Sequence, residues 1–132
     1  MIRISTDMLT EREAQIMDVL WKLGSAVADE VRAALPGEPH DSTVRTLLRI
    51  LETKGYVVHD VRGKTFVYQP AVERAQAQRS AVRNFLGRLF GGSAEDLVLR
   101  LIEDEVLTPT QLEQIQKSIQ PRRPKHRKGG TS

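Results

Sequence analysis

At 132 residues, with 39% hydrophobic and 28% charged side chains, the chain can build one compact core plus a short appendage but not a large multi-domain enzyme. It contains no cysteine, which excludes disulfides, thiolate metal sites and cysteine nucleophiles. The net charge of +3 is unevenly spread: residues 121–132 carry Arg122, Arg123, Lys125, Arg127 and Lys128 with no acid, leaving fifteen basic against seventeen acidic residues before them, so any nucleic-acid contact in the body is a local patch.

The start, MIRISTDMLTEREAQIM, has no apolar signal core, and no stretch approaches the roughly 18 apolar residues a membrane span needs. A cytoplasmic chain with no membrane partner is the expectation. Thr10 with Glu13 three residues later is a capping-box signature, and Ile16, Met17, Leu20 and Leu23 recur at helical spacing up to a stop at Gly24. A short second helix is expected from about Val27 to Leu35, burying Val27, Val31 and Leu35 and closed by Pro36-Gly37.

The third segment runs from Asp41 to Gly55. Asp41 or Ser42 can cap it, and Val44, Leu47, Leu48 and Leu51 form one buried stripe. At 100° per residue the opposite face carries Ser42, Thr46, Arg49 and Thr53, flanked by Thr43 and Arg45, with no acid expected on the exposed side of its first two turns. Two β-branched and aromatic runs follow, from Tyr56 to Val61 and from Thr65 to Gln69, around the Arg62-Gly63-Lys64 turn, which is a hairpin with a basic tip. Pro70 ends the second strand. Three helices and then a hairpin is the order of a winged helix-turn-helix.

Beyond Ala71 helical spacing returns in Val72, Ala75, Arg79, Val82, Leu86 and Leu89, beside Phe85 and Phe90, until Gly91-Gly92. A short helix with Leu97, Val98, Leu101 and Ile102 comes next. The last begins at Thr108-Pro109, with Gln111 completing a capping box and Leu112, Ile115 and Ile119 as its stripe. So short a segment cannot hide these faces by itself, and a second copy is the expected cover. The candidate interface is Val82, Phe85, Leu86, Leu89, Phe90, Leu97, Leu101, Leu112 and Ile115.

The major groove admits one α-helix and shows each base pair as a distinct pattern of donors, acceptors and methyls. Ser42, Thr43, Arg45, Thr46 and Arg49 suit that task, because arginine reaches guanine O6 and N7 and threonine offers both a methyl and a hydroxyl. Arg62 and Lys64 at the hairpin tip would grip the backbone or the minor groove. Taken alone, a polar face with two arginines is a solvated face and a basic tip is surface decoration; their order along the chain turns both toward DNA. A winged-helix adaptor that contacts protein instead is the competing expectation, favoured by the near-neutral body.

Nothing asks for catalysis. His40 lies in a loop, His59 in a strand and His126 in the tail, without metal-ligand spacing; Glu103-Asp104-Glu105 is an exposed helix end, and Gly91-Gly92 makes no phosphate loop. No metal, no cofactor and no enzymatic activity are expected. The tail PRRPKHRKGG reads as a solvated, disordered terminus, with auxiliary phosphate contact as the alternative.

The runs LTEREAQIMDVLWKLG, STVRTLLRILETKGYV and RGKTFVYQP, with RNFLGRLFGGSAEDLVLRLIEDEVLTPTQLEQI, resemble the penicillinase repressor family (BlaI/MecI) over residues 8–120. The resemblance implies a bacterial winged-helix repressor that binds a dyad-symmetric operator, with TACA/TGTA-type half-sites, as a homodimer. It puts Thr43, Arg45 and Thr46 on the recognition-helix motif. It also implies an upstream sensor or protease, since some members are cleaved at an Asn-Phe bond in the C-terminal region. The matching position here is Arg100-Leu101, and the Asn84-Phe85 pair lies one helix earlier, so the family's scissile pair is absent and the resemblance does not decide whether release is proteolytic. Nor does the copper response of relatives bearing a C-terminal cysteine cluster. The expected fold class is therefore mainly α with a small β-hairpin: residues 1–70 a winged-helix DNA-binding domain, 71–120 a three-helix dimerisation domain, and 121–132 the basic tail.

Overall fold

A computed structural model of the chain describes residues 9–119; the first eight residues and the basic tail, with its phosphate-contact reading, lie outside them. The architecture is mainly α with one small sheet. Two compact units divide it, one up to Phe85 and one from Leu86.

In the first unit, α1 (Glu11–Leu23) starts at Thr10, whose hydroxyl accepts from the Glu13 N–H while the Glu13 carboxylate accepts from the Thr10 N–H. Gly24 ends the helix at φ 85°, a conformation that costs a glycine nothing. Ile16, Met17 and Leu20 are fully buried, but Leu23, expected in the same stripe, is 55% exposed. The stripe stops short because the chain leaves the core at the turn after Leu20.

Val27 does not open the second helix. It belongs to β1 (Ala26–Val27), a two-residue strand paired with Val67 and Tyr68, and only then does α2 (Ala28–Ala34) begin, burying Ala28 and Val31. Leu35, just past the helix, is buried as expected and Val27 is half-buried. The recognition-type segment is α3 (Asp41–Thr53). Then β2 (Val57–Arg62) and β3 (Thr65–Pro70) form the hairpin, and the sheet order is β1-β3-β2, antiparallel throughout. Gly63 and Lys64 make the turn, with Gly63 at φ 64°.

The first unit runs past Pro70 because its core does. Val72 is buried, the Trp21 indole N–H donates to its carbonyl at 2.9 Å, and Ala77 on α4 (Arg74–Leu89) is buried too. Arg74 sits 5.0 Å from the Trp21 ring centre and bonds Asp18 at 2.8 Å. The face that α4 buries is therefore set by Ala77; Ala75, Arg79 and Val82, placed on the stripe by spacing, are exposed.

In the second unit, α5 (Ala94–Glu103) is capped by Ser93, whose hydroxyl accepts from the Asp96 N–H, and α6 (Pro109–Ser118) by Thr108 with Gln111 in a full capping box. Neither helix has a fully buried residue. Of the candidate interface residues, Val82, Leu89 and Ile115 are exposed, and Phe85, Leu86, Phe90, Leu97, Leu101 and Leu112 are half-buried. Arg100 is exposed and 3.6 Å from Glu103, and the Leu101 carbonyl accepts from the Val106 and Leu107 N–H groups.

Candidate nucleic-acid interface

Both ends of α3 are tethered, so its orientation is fixed. Ahead of it, Arg12 donates to the Pro36 carbonyl at 2.8 Å and Arg32 to the Pro39 carbonyl at 2.6 Å, holding the loop that leads in. The cap is His40, not Asp41 or Ser42: its Nδ1 accepts from the Ser42 N–H at 3.2 Å, and Asp41 is the first helical residue. At the far end Lys54 Nζ reaches Glu13 Oε1 at 2.9 Å, tying α3 to the start of α1 in a nearly buried ion pair. Burial pushes the Glu13 carboxyl up. Bonds from the Thr10 N–H and Lys54 outweigh it and hold the group below its ordinary value.

Between those anchors Val44, Leu48 and Leu51 are fully buried and Leu47 half-buried. Ser42, Thr43, Arg45, Thr46 and Arg49 are exposed on the other side, and the Thr53 hydroxyl turns back to the Arg49 carbonyl at 3.1 Å. The expectation of an acid-free start fails at Asp41. Arg45 Nε donates to Asp41 Oδ2 at 2.9 Å, and Asp29 Oδ1 from α2 lies 4.0 Å from its Nη2, so the guanidinium is flanked by carboxylates from two elements. The hydrogen bond to Asp41 raises the Arg45 pKa further above its ordinary value.

A groove of about 460 Å³ opens between α3 and the hairpin. Ser42, Arg45, Thr46, Arg49 and Glu52 form one wall, and His59, Phe66 and Tyr68 the other. His59 stacks on Phe66 at 4.2 Å with 13° between the rings, and its Nδ1 lies 2.8 and 2.9 Å from the two Glu52 oxygens. Tyr68 is buried beneath, and desolvation pushes its phenol up. Lys64 lies around the corner, sharing a smaller 280 Å³ recess with Arg45, Asp29 and Phe66. Arg62 is exposed at the end of β2.

The structure thus gathers four of the seven predicted contact residues, Ser42, Arg45, Thr46 and Arg49, on one groove and brings Lys64 beside Arg45. Sequence reasoning missed Asp29, Asp41, Glu52, His59, Phe66 and Tyr68. For the hairpin residues a signal existed: strand alternation with His59 opposite Tyr68 and Val61 opposite Phe66 puts His59, Phe66 and Tyr68 on one face. Among the described residues no group of three or more His, Asp or Glu side chains could hold a metal ion, and no helix is long and apolar enough to cross a membrane.

The chain is similar to known repressors. The penicillinase repressor family model matches residues 9–121. The penicillinase repressor of Bacillus licheniformis is 28% identical over 109 residues, covering 81% of this chain and 85% of that protein. The methicillin resistance regulatory protein MecI of Mammaliicoccus sciuri is 27% identical over 111 residues, 81% of this chain and 89% of its own length. Among solved structures, that of the CopR repressor is 36% identical over 51% of this chain and all of its own, with a TM-score of 0.43. A match that spans all the described residues is decisive: the chain belongs to the penicillinase repressor family.

Proposed function

We propose that this DNA-binding transcriptional repressor, which is not an enzyme, occupies a dyad-symmetric cytoplasmic operator as a homodimer and so blocks transcription. One observation carries the reading: α3 exposes Ser42, Thr43, Arg45, Thr46 and Arg49 while Val44, Leu48 and Leu51 lock its other side into the core. A helix held at both ends can enter the major groove without first paying to be ordered. Arg62 and Lys64 on the hairpin then meet the backbone and set the register, which positions the helix but specifies no base. Two such units in a dimer would engage half-sites about one helical turn, or a multiple of it, apart.

The first unit, with α3 and the hairpin, is the DNA-binding part, and the helices from Leu86 onward supply the contact between copies. An upstream sensor or protease would act on those C-terminal helices, where Arg100-Leu101 stands in place of an Asn-Phe pair.

Selection of the full chain against a randomised duplex library, followed by titration on the selected duplex, tests the reading. Arg45→Ala and Arg49→Ala are each expected to weaken the selected duplex by roughly 1–3 kcal/mol and to relax the preference at one position. Lys64→Ala should weaken all duplexes alike and flatten the salt dependence by about one unit. Unchanged affinity and unchanged selection in both arginine variants would remove α3 from the reading role.

A further inference from the structure

We infer that Asp41 is a positioning residue that fixes how Arg45 meets a base edge and, with Asp29, restrains Arg45 from indiscriminate phosphate contact. The inference rests on the reading of α3 proposed above and adds a residue outside its predicted contact set.

Asp41 stands one helical turn before Arg45, and its Oδ2 accepts the Nε–H at 2.9 Å. Arginine carries five N–H donors in a rigid plane, so a bond at Nε sets the tilt of the whole fork. It also leaves the two terminal amino groups for another partner. A pair of parallel donors is answered by guanine, whose O6 and N7 lie side by side in the major groove. Asp29 Oδ1, 4.0 Å from Nη2, is too far for a hydrogen bond and close enough to offset the positive charge. It leaves the fork unoccupied while lowering its pull on phosphate.

The second half of the inference follows from where Asp41 sits. The N-terminus of a helix attracts phosphate through its dipole and free N–H groups. A carboxylate on the first residue opposes that attraction, and Arg45, the nearest cation on α3, is already paired with it. Two acids around one arginine therefore lower sequence-independent affinity while the hydrogen-bonded fork remains aimed for base readout. The same principle explains how a body with more acids than bases can still read DNA: it relies on oriented donors more than on net charge. An exposed i, i+4 pair without this role would only stabilise the helix slightly.

Full-length wild type, Arg45→Ala, Asp41→Asn, Asp41→Glu and Asp29→Asn are put through selection on the randomised library and then titrated on the selected and a scrambled duplex over a salt series. Arg45→Ala locates the position that Arg45 reads. In Asp41→Asn the base preference at that same position should fall about fivefold or more, with the other positions unchanged. Binding to the scrambled duplex should tighten and its salt dependence steepen. Asp29→Asn should tighten binding to the scrambled duplex and keep the base preference, and Asp41→Glu, which restores a carboxylate, should recover most of that preference. A helix-stabilising role alone would weaken every duplex alike. If wild type discriminates between duplexes and Asp41→Asn discriminates equally well, or loses preference evenly along the site, the inference is overturned. If wild type itself shows no preference, the reading of α3 falls and takes the inference with it.

Discussion

Glu13 shows how one residue can be legible for one role and opaque for another. The capping box of α1 was readable from Thr10 and Glu13, because such a box closes within four consecutive residues. The bond from Lys54 Nζ to the same carboxylate joins residues far apart in sequence and could not be read there. Glu13 is 2% exposed, so removing its charge takes an anionic partner from the largely buried Lys54 ammonium. Glu13→Gln should cost about 2–4 kcal/mol in chemical denaturation at neutral pH, somewhat below the range for a fully buried pair because Lys54 retains some solvent contact. The pH dependence has a definite sign. The folded-state carboxyl is held below its ordinary value of 4.5, so its contribution is complete above that pH and is lost as pH falls through the lowered value. The stability gap between wild type and Glu13→Gln should stay constant above about pH 5 and close as the solution is made more acid. A gap that widens on acidification would show that the carboxylate is not the stabilised form.

For elements, the division between what the sequence revealed and what it hid follows the range of the forces. The capping boxes of α1 and α6, the glycine stop of α1 and the hairpin turn are local, and they stand where the residues placed them. The two-residue β1 exists only because β3 offers it a partner, so no periodicity within Ala26–Val27 could announce it. In α3 the 100° construction separated Leu48 from Arg49 correctly, which is why four of the five α3 residues on the groove, all but Glu52, were visible. The opposing wall was not, because His59, Phe66 and Tyr68 reach α3 only once the hairpin folds back on it. Asp41, which with Ser42 has the chemistry of a cap, is instead the first helical residue, and spacing alone does not show that its carboxylate turns to Arg45. Helical spacing also overreached: it put Leu23 with Leu20 and Leu47 with Leu48, and the core accepted only the second of each pair fully. The difference is measurable. Leu48→Ala is expected to cost about 2–5 kcal/mol, the range for a buried leucine that leaves a cavity. Leu23→Ala should stay within about 0.5 kcal/mol, since an exposed side chain gives up little on truncation. Equal losses for the two in urea denaturation would mean that the end of α1 is packed after all.

At the level of the whole molecule, the two units differ in how they satisfy their apolar residues. The first has a core reaching from Ile16 to Ala77. The second presents Leu89 and Val106 at 68% exposure and Ile119 at 62%, and neither α5 nor α6 has a residue fully withdrawn from water. Apolar helices left this open are stable choices only when another surface covers them, and a second copy brings a complementary face without any further partner. Each fully covered leucine or isoleucine would then contribute about 1.5–3 kcal/mol. Leu89→Glu and Ile115→Glu each place a charge where a partner surface would close over it, while both side chains are already exposed within the single chain. In sedimentation equilibrium the wild type should be dimeric at micromolar concentration and either variant should shift toward monomer. Because association stabilises only the folded chain, the wild-type melting temperature should rise with protein concentration and that of the variants should not. On a duplex with two half-sites the variants should bind with little more than single-half-site affinity, since the second unit is no longer delivered by the first. A wild type that sediments as a monomer across this range, or variants that remain dimeric, would move the contact between copies away from these helices.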